Sequence, residues 1–90
     1  MTEERFRVEF TEEADKQLKS LDKPVRRRIL LAVAKLEGNP RPEGVKKLKG
    51  KSDRWRIRVG DWRVLYKVED GRLIVLVVMV GHRSKVYRDS

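Results

Sequence analysis

Cysteine is absent from this ninety-residue chain, which excludes disulfides and thiolate metal sites and makes the reducing cytoplasm its expected location. There is a single histidine, His82, and the acids are scattered, so neither a metal site nor a cofactor is expected. No Ser-His-Asp or Cys-His arrangement exists for nucleophilic catalysis. The glycines form neither a phosphate loop nor a dinucleotide fingerprint. The longest apolar run, Leu73 to Val80, has eight residues and is far too short for a membrane span. Met1-Thr2-Glu3-Glu4-Arg5 lacks the charged-then-apolar pattern of a signal peptide, so a soluble chain with no membrane partner is expected.

Cationic side chains are plentiful instead. Lys and Arg number 23 against 14 Asp and Glu, a net charge of +9. Such an excess favours a polyphosphate or an acidic protein as partner. The acids crowd the first twenty-two residues, whereas residues 41–67 are mostly cationic. Apolar residues fall in periodic blocks, which argues for an ordered fold despite 41% charged residues. A chain of this length supports one core, hence one domain over residues 1–90.

The periodicities predict an α+β domain. Phe6, Val8 and Phe10 alternate along a first strand. Thr11 is the expected N-cap of a short helix carrying Ala14, Leu18 and Leu21 on one face. Asp22 with Pro24 opens a second helix, striped by Val25, Ile29, Ala32, Val33 and Leu36 and stopped by Gly38-Asn39-Pro40. The tight link between them implies an antiparallel helix hairpin packed on one face of a sheet. Residues 39–53 read as a basic loop. A three-stranded antiparallel meander follows, turning at Gly60-Asp61 and at Asp70-Gly71.

These turns imply a register. Two-residue loops pair Val59 with Trp62, Arg58 with Arg63 and Ile57 with Val64. They also pair Val68 with Leu73, Tyr66 with Val75, Val64 with Val77 and Arg63 with Val78. The last strand is apolar on both faces and is expected to lie centrally, between the first strand and its hairpin partner.

Along Arg54 to Val59, Trp55, Ile57 and Val59 face one way and Arg54, Arg56 and Arg58 the other. Arg63 joins the arginine face opposite Arg58, with Leu65, Leu76 and Val78 as an apolar floor. Like charges so close destabilise a sheet unless an anion lies over them. A solvated basic edge is the plain alternative for any one arginine, but the set suits a nucleotide and its phosphate better. His82 and Arg83, leaving the last strand, arrive at the same corner, and Tyr87 can fold back over it.

The segments Lys47-Leu48-Lys49-Gly50, Trp55-Arg56-Ile57-Arg58-Val59, Trp62-Arg63-Val64-Leu65-Tyr66-Lys67-Val68, Val80-Gly81-His82-Arg83 and Val86-Tyr87 together resemble the RelE/ParE superfamily of toxin–antitoxin toxins. The likeness covers nearly the whole chain. It implies a ribosome-dependent, metal-independent endoribonuclease: an mRNA interferase in which the RNA's own 2′-hydroxyl attacks the adjacent phosphate. It further implies a small acidic antitoxin as neutralising partner, with ribosome and mRNA as targets. Residue by residue, Arg56 and Arg58 correspond to the basic residues of the active strand and Arg63 to the phosphate-holding arginine. Arg83 corresponds to the arginine after the last strand, and Tyr87 to the tyrosine that stacks on a base. Lys47, Lys49, Lys51, Arg54 and His82 are the expected RNA-binding residues.

One departure matters. The best-known members carry lysines where this chain has Arg56 and Arg58, and an arginine is always charged. It clamps a phosphate well but is a poor general base, so the proton is expected to leave through Tyr87, His82 or the ribosome. Two alternatives share the fold: a ParE-like toxin that poisons DNA gyrase, and a non-catalytic RNA-binding module.

Overall fold

A computed structural model of the chain describes residues 5–48 and 54–84. The elements run β1 (Arg7–Phe10), α1 (Glu12–Lys19), α2 (Lys23–Lys35), β2 (Lys46–Lys47), β3 (Arg54–Val59), β4 (Trp62–Glu69) and β5 (Ile74–His82). They build one five-stranded sheet in the order β1-β5-β4-β3-β2. Strand β1 pairs with β5 in parallel, and every other pairing is antiparallel. The α+β architecture and the central position of the last strand are as the sequence implies. Among the described residues, no helix is long and apolar enough to cross a membrane.

Local chemistry explains both helices. The Thr11 side chain accepts from the Ala14 N–H at 3.1 Å, with Glu12, Glu13 and Asp15 in the first turn of α1, where the helix dipole favours acids. Pro24 sits in the first turn of α2, where a missing N–H costs nothing. Asp22 occupies the N-cap position there but makes no side-chain cap bond. The apolar stripes of both helices face the sheet. Ala14, Leu18, Ile29, Val33 and Leu36 pack against Ile57, Val64, Tyr66, Val68, Val75, Val77 and Val80 in one core cluster. The opposite sheet face is left to the arginines.

The β3–β4 register is the one the Gly60-Asp61 turn implies, with Arg58 opposite Arg63 and Ile57 opposite Val64. Gly60 adopts φ 61°, a left-handed conformation that glycine enters without penalty.

The β4–β5 register differs from the expected one. The connection spans residues 70–73, with Leu73 at φ 53°, rather than Asp70-Gly71 alone. Val68 therefore lies opposite Val75, and Tyr66 opposite Val77. A slip of two residues keeps every side chain on its own face, so alternation alone does not separate these registers. The longer turn is anchored by Arg41, whose guanidinium donates to both Asp70 carboxylate oxygens at 3.1 and 2.7 Å. That contact holds the Asp70 carboxyl below its ordinary range.

Further along, an irregularity at Leu65/Tyr66 leaves Val78 unpaired and aligns Leu65 with Met79 and Arg63 with Gly81. Helix α1 stabilises this bulge: Thr11 Oγ1 donates to the Val78 carbonyl at 3.3 Å and Gln17 Oε1 accepts from the Val80 N–H at 2.7 Å. Val80 thereby enters the core, and Met79 replaces Val78 on the arginine face.

Candidate active site

The site begins with the pleat of β3. Ile57 is buried toward the helices, so its neighbours Arg56 and Arg58 must emerge on the other face. Arg63 reaches that face from β4, directly opposite Arg58. A fourth cation comes from a part of the chain that the sequence presents as loop. Gly44, at φ 90°, turns the chain, with the Val45 N–H donating to the Pro42 carbonyl at 3.1 Å. Strand β2 then adds to the sheet edge with Lys46 opposite Arg56 and Lys47 opposite Trp55.

Gly44, Lys46, Arg56, Arg58 and Arg63 line a recess of about 150 Å³. Among the described residues, its lining holds four cationic side chains and no carboxylate. Arg63 is its floor, only 5% exposed. Its Nη1 donates to the carbonyls of Gly60 and Trp62, both at 3.1 Å, so backbone dipoles offset part of the burial of its charge. Arg56 is half-buried and Arg58 exposed. Guanidinium groups converging on one small hollow, one of them held by backbone carbonyls, can receive a tetrahedral or trigonal-bipyramidal oxyanion.

The expected site residues divide clearly. Arg56, Arg58 and Arg63 come together. Arg83 stands at the adjoining corner, its backbone N–H donating to the Asp61 carbonyl at 2.8 Å and its side chain exposed. Arg54 lies on the same strand face as Arg56, opposite Lys67, but outside the recess lining. Lys47 turns to the helix side of the sheet, its Nζ 5.7 Å from the centre of the Trp55 ring. His82 also turns away: it pairs with Trp62, and the two rings meet edge-on with centroids 5.5 Å apart. Its Nδ1 lies 3.1 Å from Ser84 Oγ. The bulge explains this, because an unpaired Val78 reverses the face of every later residue in β5. Lys49, Lys51 and Tyr87 lie outside the described residues.

Lys46 and Gly44 are the site residues that sequence reading missed. A two-residue strand carries too little alternation to reveal its faces, and no residue type in Val45-Lys46-Lys47 marks the difference between its lysines. Among the described residues, no group of three His, Asp or Glu side chains could hold a metal ion.

The structure is thus a two-helix, five-stranded α+β domain with a cationic recess on its open sheet face. The chain matches the family described as ParE toxin of type II toxin–antitoxin system, parDE, over residues 8–87. It is 35% identical over 83 residues to a RelE-like toxin protein of Escherichia coli, spanning 90% of this chain and 86% of that one. It is 31% identical over 87 residues to the mRNA interferase toxin RelE of Escherichia coli strain K12, spanning 92% of this chain and 90% of the relative. The RelE-RelB complex from Pyrococcus horikoshii OT3 superposes with a TM-score of 0.79 at 32% identity, covering 90% of this chain and 98% of that chain. This chain therefore belongs to the RelE/ParE family of type II toxin–antitoxin toxins.

Proposed function

We propose that the chain is a ribosome-dependent endoribonuclease that cleaves mRNA and is neutralised by an acidic antitoxin. The observation that carries the reading is the convergence of Arg56, Arg58 and Arg63 on one recess. Relatives named mRNA interferase at 31% identity support it, as does the superposition on a toxin bound to its antitoxin.

In this reading a scissile phosphate lies over the recess. The 2′-hydroxyl oxygen of the preceding ribose attacks phosphorus, and the bond to the 5′-oxygen breaks. Negative charge grows on the non-bridging oxygens, where Arg56, Arg58 and Arg63 receive it. Arg63 is already held by two backbone carbonyls, so little reorganisation is needed when charge develops. Arg83 flanks the phosphate at the corner, and Tyr87 stacks on a base. Arg54, Lys49 and Lys51 serve the RNA path more loosely, whereas Lys47 and His82, turned to the helix side of the sheet, take no part in it. The ribosome presents the codon, which sets the protein in the cytoplasm.

The antitoxin has a matching surface. A groove of about 490 Å³ runs between α2 and β3, lined by the apolar Ala32, Leu36, Pro42, Val45 and Ile57 together with Lys35, Arg58 and one carboxylate, Glu43. An amphipathic segment with acids placed against Lys35 and Arg58 satisfies both the apolar lining and the two cations.

The test is induced expression followed by primer extension on translated messages. Codon-phased cuts that disappear when translation is blocked are expected. DNA breaks with an SOS response, and uncut mRNA, would establish gyrase poisoning instead.

A further inference from the structure

We propose that Lys46 is a catalytic residue, the general acid that protonates the departing 5′-oxygen. The inference rests on the cleavage reading above and deepens it at the point where the arginine-rich strand is chemically deficient.

The recess is lined by Gly44, Lys46, Arg56, Arg58 and Arg63. Guanidinium groups hold a phosphate but do not surrender a proton. Of these five residues, Lys46 alone has a side chain able to transfer one. Among the described residues, Lys67 shares the arginine face but lies opposite Arg54, outside the recess lining, and His82 and Tyr66 are turned elsewhere. The His82 ring packs on Trp62, on the opposite sheet face from Arg63. Tyr66 lies fully buried in the core, its hydroxyl donating to the Pro40 carbonyl at 2.7 Å.

Geometry supplies the rest. Lys46 and Arg56 are direct cross-strand partners, so their side chains leave the same face with Cβ atoms about 5 Å apart. β2 is the edge strand, hence Lys46 approaches the recess from the rim, whereas Arg63 approaches from the floor. A phosphate between them has a fixed guanidinium on one side and a mobile ammonium on the other. Lys46 is exposed, and its long stem can follow an oxygen as it departs.

The step balances without a further reagent. The 2′-oxygen forms a bond to phosphorus and its proton passes to water. The phosphorus–5′-oxygen bond breaks, and that oxygen takes a proton from the Lys46 ammonium, which recovers one from solvent. The products are a 2′,3′-cyclic phosphate and a 5′-hydroxyl. An alkoxide is a far stronger base than an amine, so this transfer runs downhill as the bond breaks.

The experiment uses the full chain on ribosomes programmed with two messages. One carries the natural linkage at the cut site, the other a 5′-bridging sulfur, whose thiolate leaves without protonation. Lys46→Arg keeps the charge and loses the proton transfer. Its cleavage of the natural linkage is expected to fall about 100-fold or more, with near wild-type cleavage of the sulfur linkage. Lys46→Ala is expected to be slow on both, having lost the charge as well. Equal sulfur-to-oxygen rate ratios for Lys46→Arg and wild type would overturn the proposal. Failure of the wild type to cut either message would instead refute the cleavage reading itself.

Discussion

The backbone N–H of Arg83 donates to the carbonyl of Asp61 at 2.8 Å, which fastens the end of β5 to the β3–β4 turn. The same turn presents the Gly60 carbonyl to Arg63 Nη1 at 3.1 Å. An arginine of β4 and the arginine just past the end of β5 are thus positioned by two consecutive turn residues, one of them at φ 61°. Valine at that φ is strained, so Gly60→Val is expected to lose about 1–2 kcal/mol in urea unfolding. Its cleavage rate should fall even where the variant is fully folded, because the carbonyl that aims Arg63 moves. Gly60→Asn, which tolerates the left-handed region, should preserve both. Wild-type cleavage by folded Gly60→Val would contradict this role for the turn.

Arg63 and Arg58 face each other across the hairpin but differ in surroundings. Arg63 is buried, with Nη1 donating to two carbonyls, whereas Arg58 is exposed. A lysine could meet those carbonyls but would lack the further planar N–H groups that a guanidinium offers a phosphate, so Arg63→Lys should lower the cleavage rate about 10²–10³-fold. Arg58→Lys should be distinctly milder, since a point charge at an exposed position serves nearly as well. Single-turnover rates on programmed ribosomes decide between them.

Binding of single-stranded RNA should weaken linearly in log–log plots against salt, as expected for phosphate contacts. Removing one such contact with Arg56→Ala should flatten the slope by about 0.7. An unchanged slope would mean that Arg56 meets no phosphate.

Tyr66 gives the fold an alkaline limit. Burial raises its phenol far above the ordinary value, with the Arg41 charge opposing more weakly. A raised folded-state pKa means the stabilisation is fully present below the unfolded tyrosine's value of about 10. It is lost as pH rises beyond that, because only the unfolded chain can ionise. Thermal unfolding should therefore show a falling midpoint above about pH 10. Tyr66→Phe should blunt that fall while costing about 1–3 kcal/mol at neutral pH, because the Pro40 carbonyl loses its buried donor.

Legibility in the sequence followed local chemistry. The β3–β4 register could be read because Gly60-Asp61 is a short turn with a glycine where one is required, and that register alone brings Arg58 to Arg63. The helix stripes could be read because Ile29, Val33 and Leu36 recur at helical spacing. What escaped was non-local. The bulge at Val78 is stabilised by Thr11 and Gln17, more than sixty residues away, and it alone decides which face His82 takes. The extended turn before Ile74 depends on Arg41 gripping Asp70 across the fold. Lys46 joins the recess only because β2 pairs with β3, a contact of two residues that leaves no periodic trace.

The most direct measurement is mapping cuts on a defined mRNA held in purified ribosomes, with wild type and an Arg56→Ala/Arg63→Ala double variant side by side. Strand scission within the codon in the A site, present with ribosomes, missing on naked RNA and abolished in the double variant, is the outcome expected of an arginine-lined phosphate receptor. Intact message with the wild type, or undiminished scission by the double variant, would contradict it.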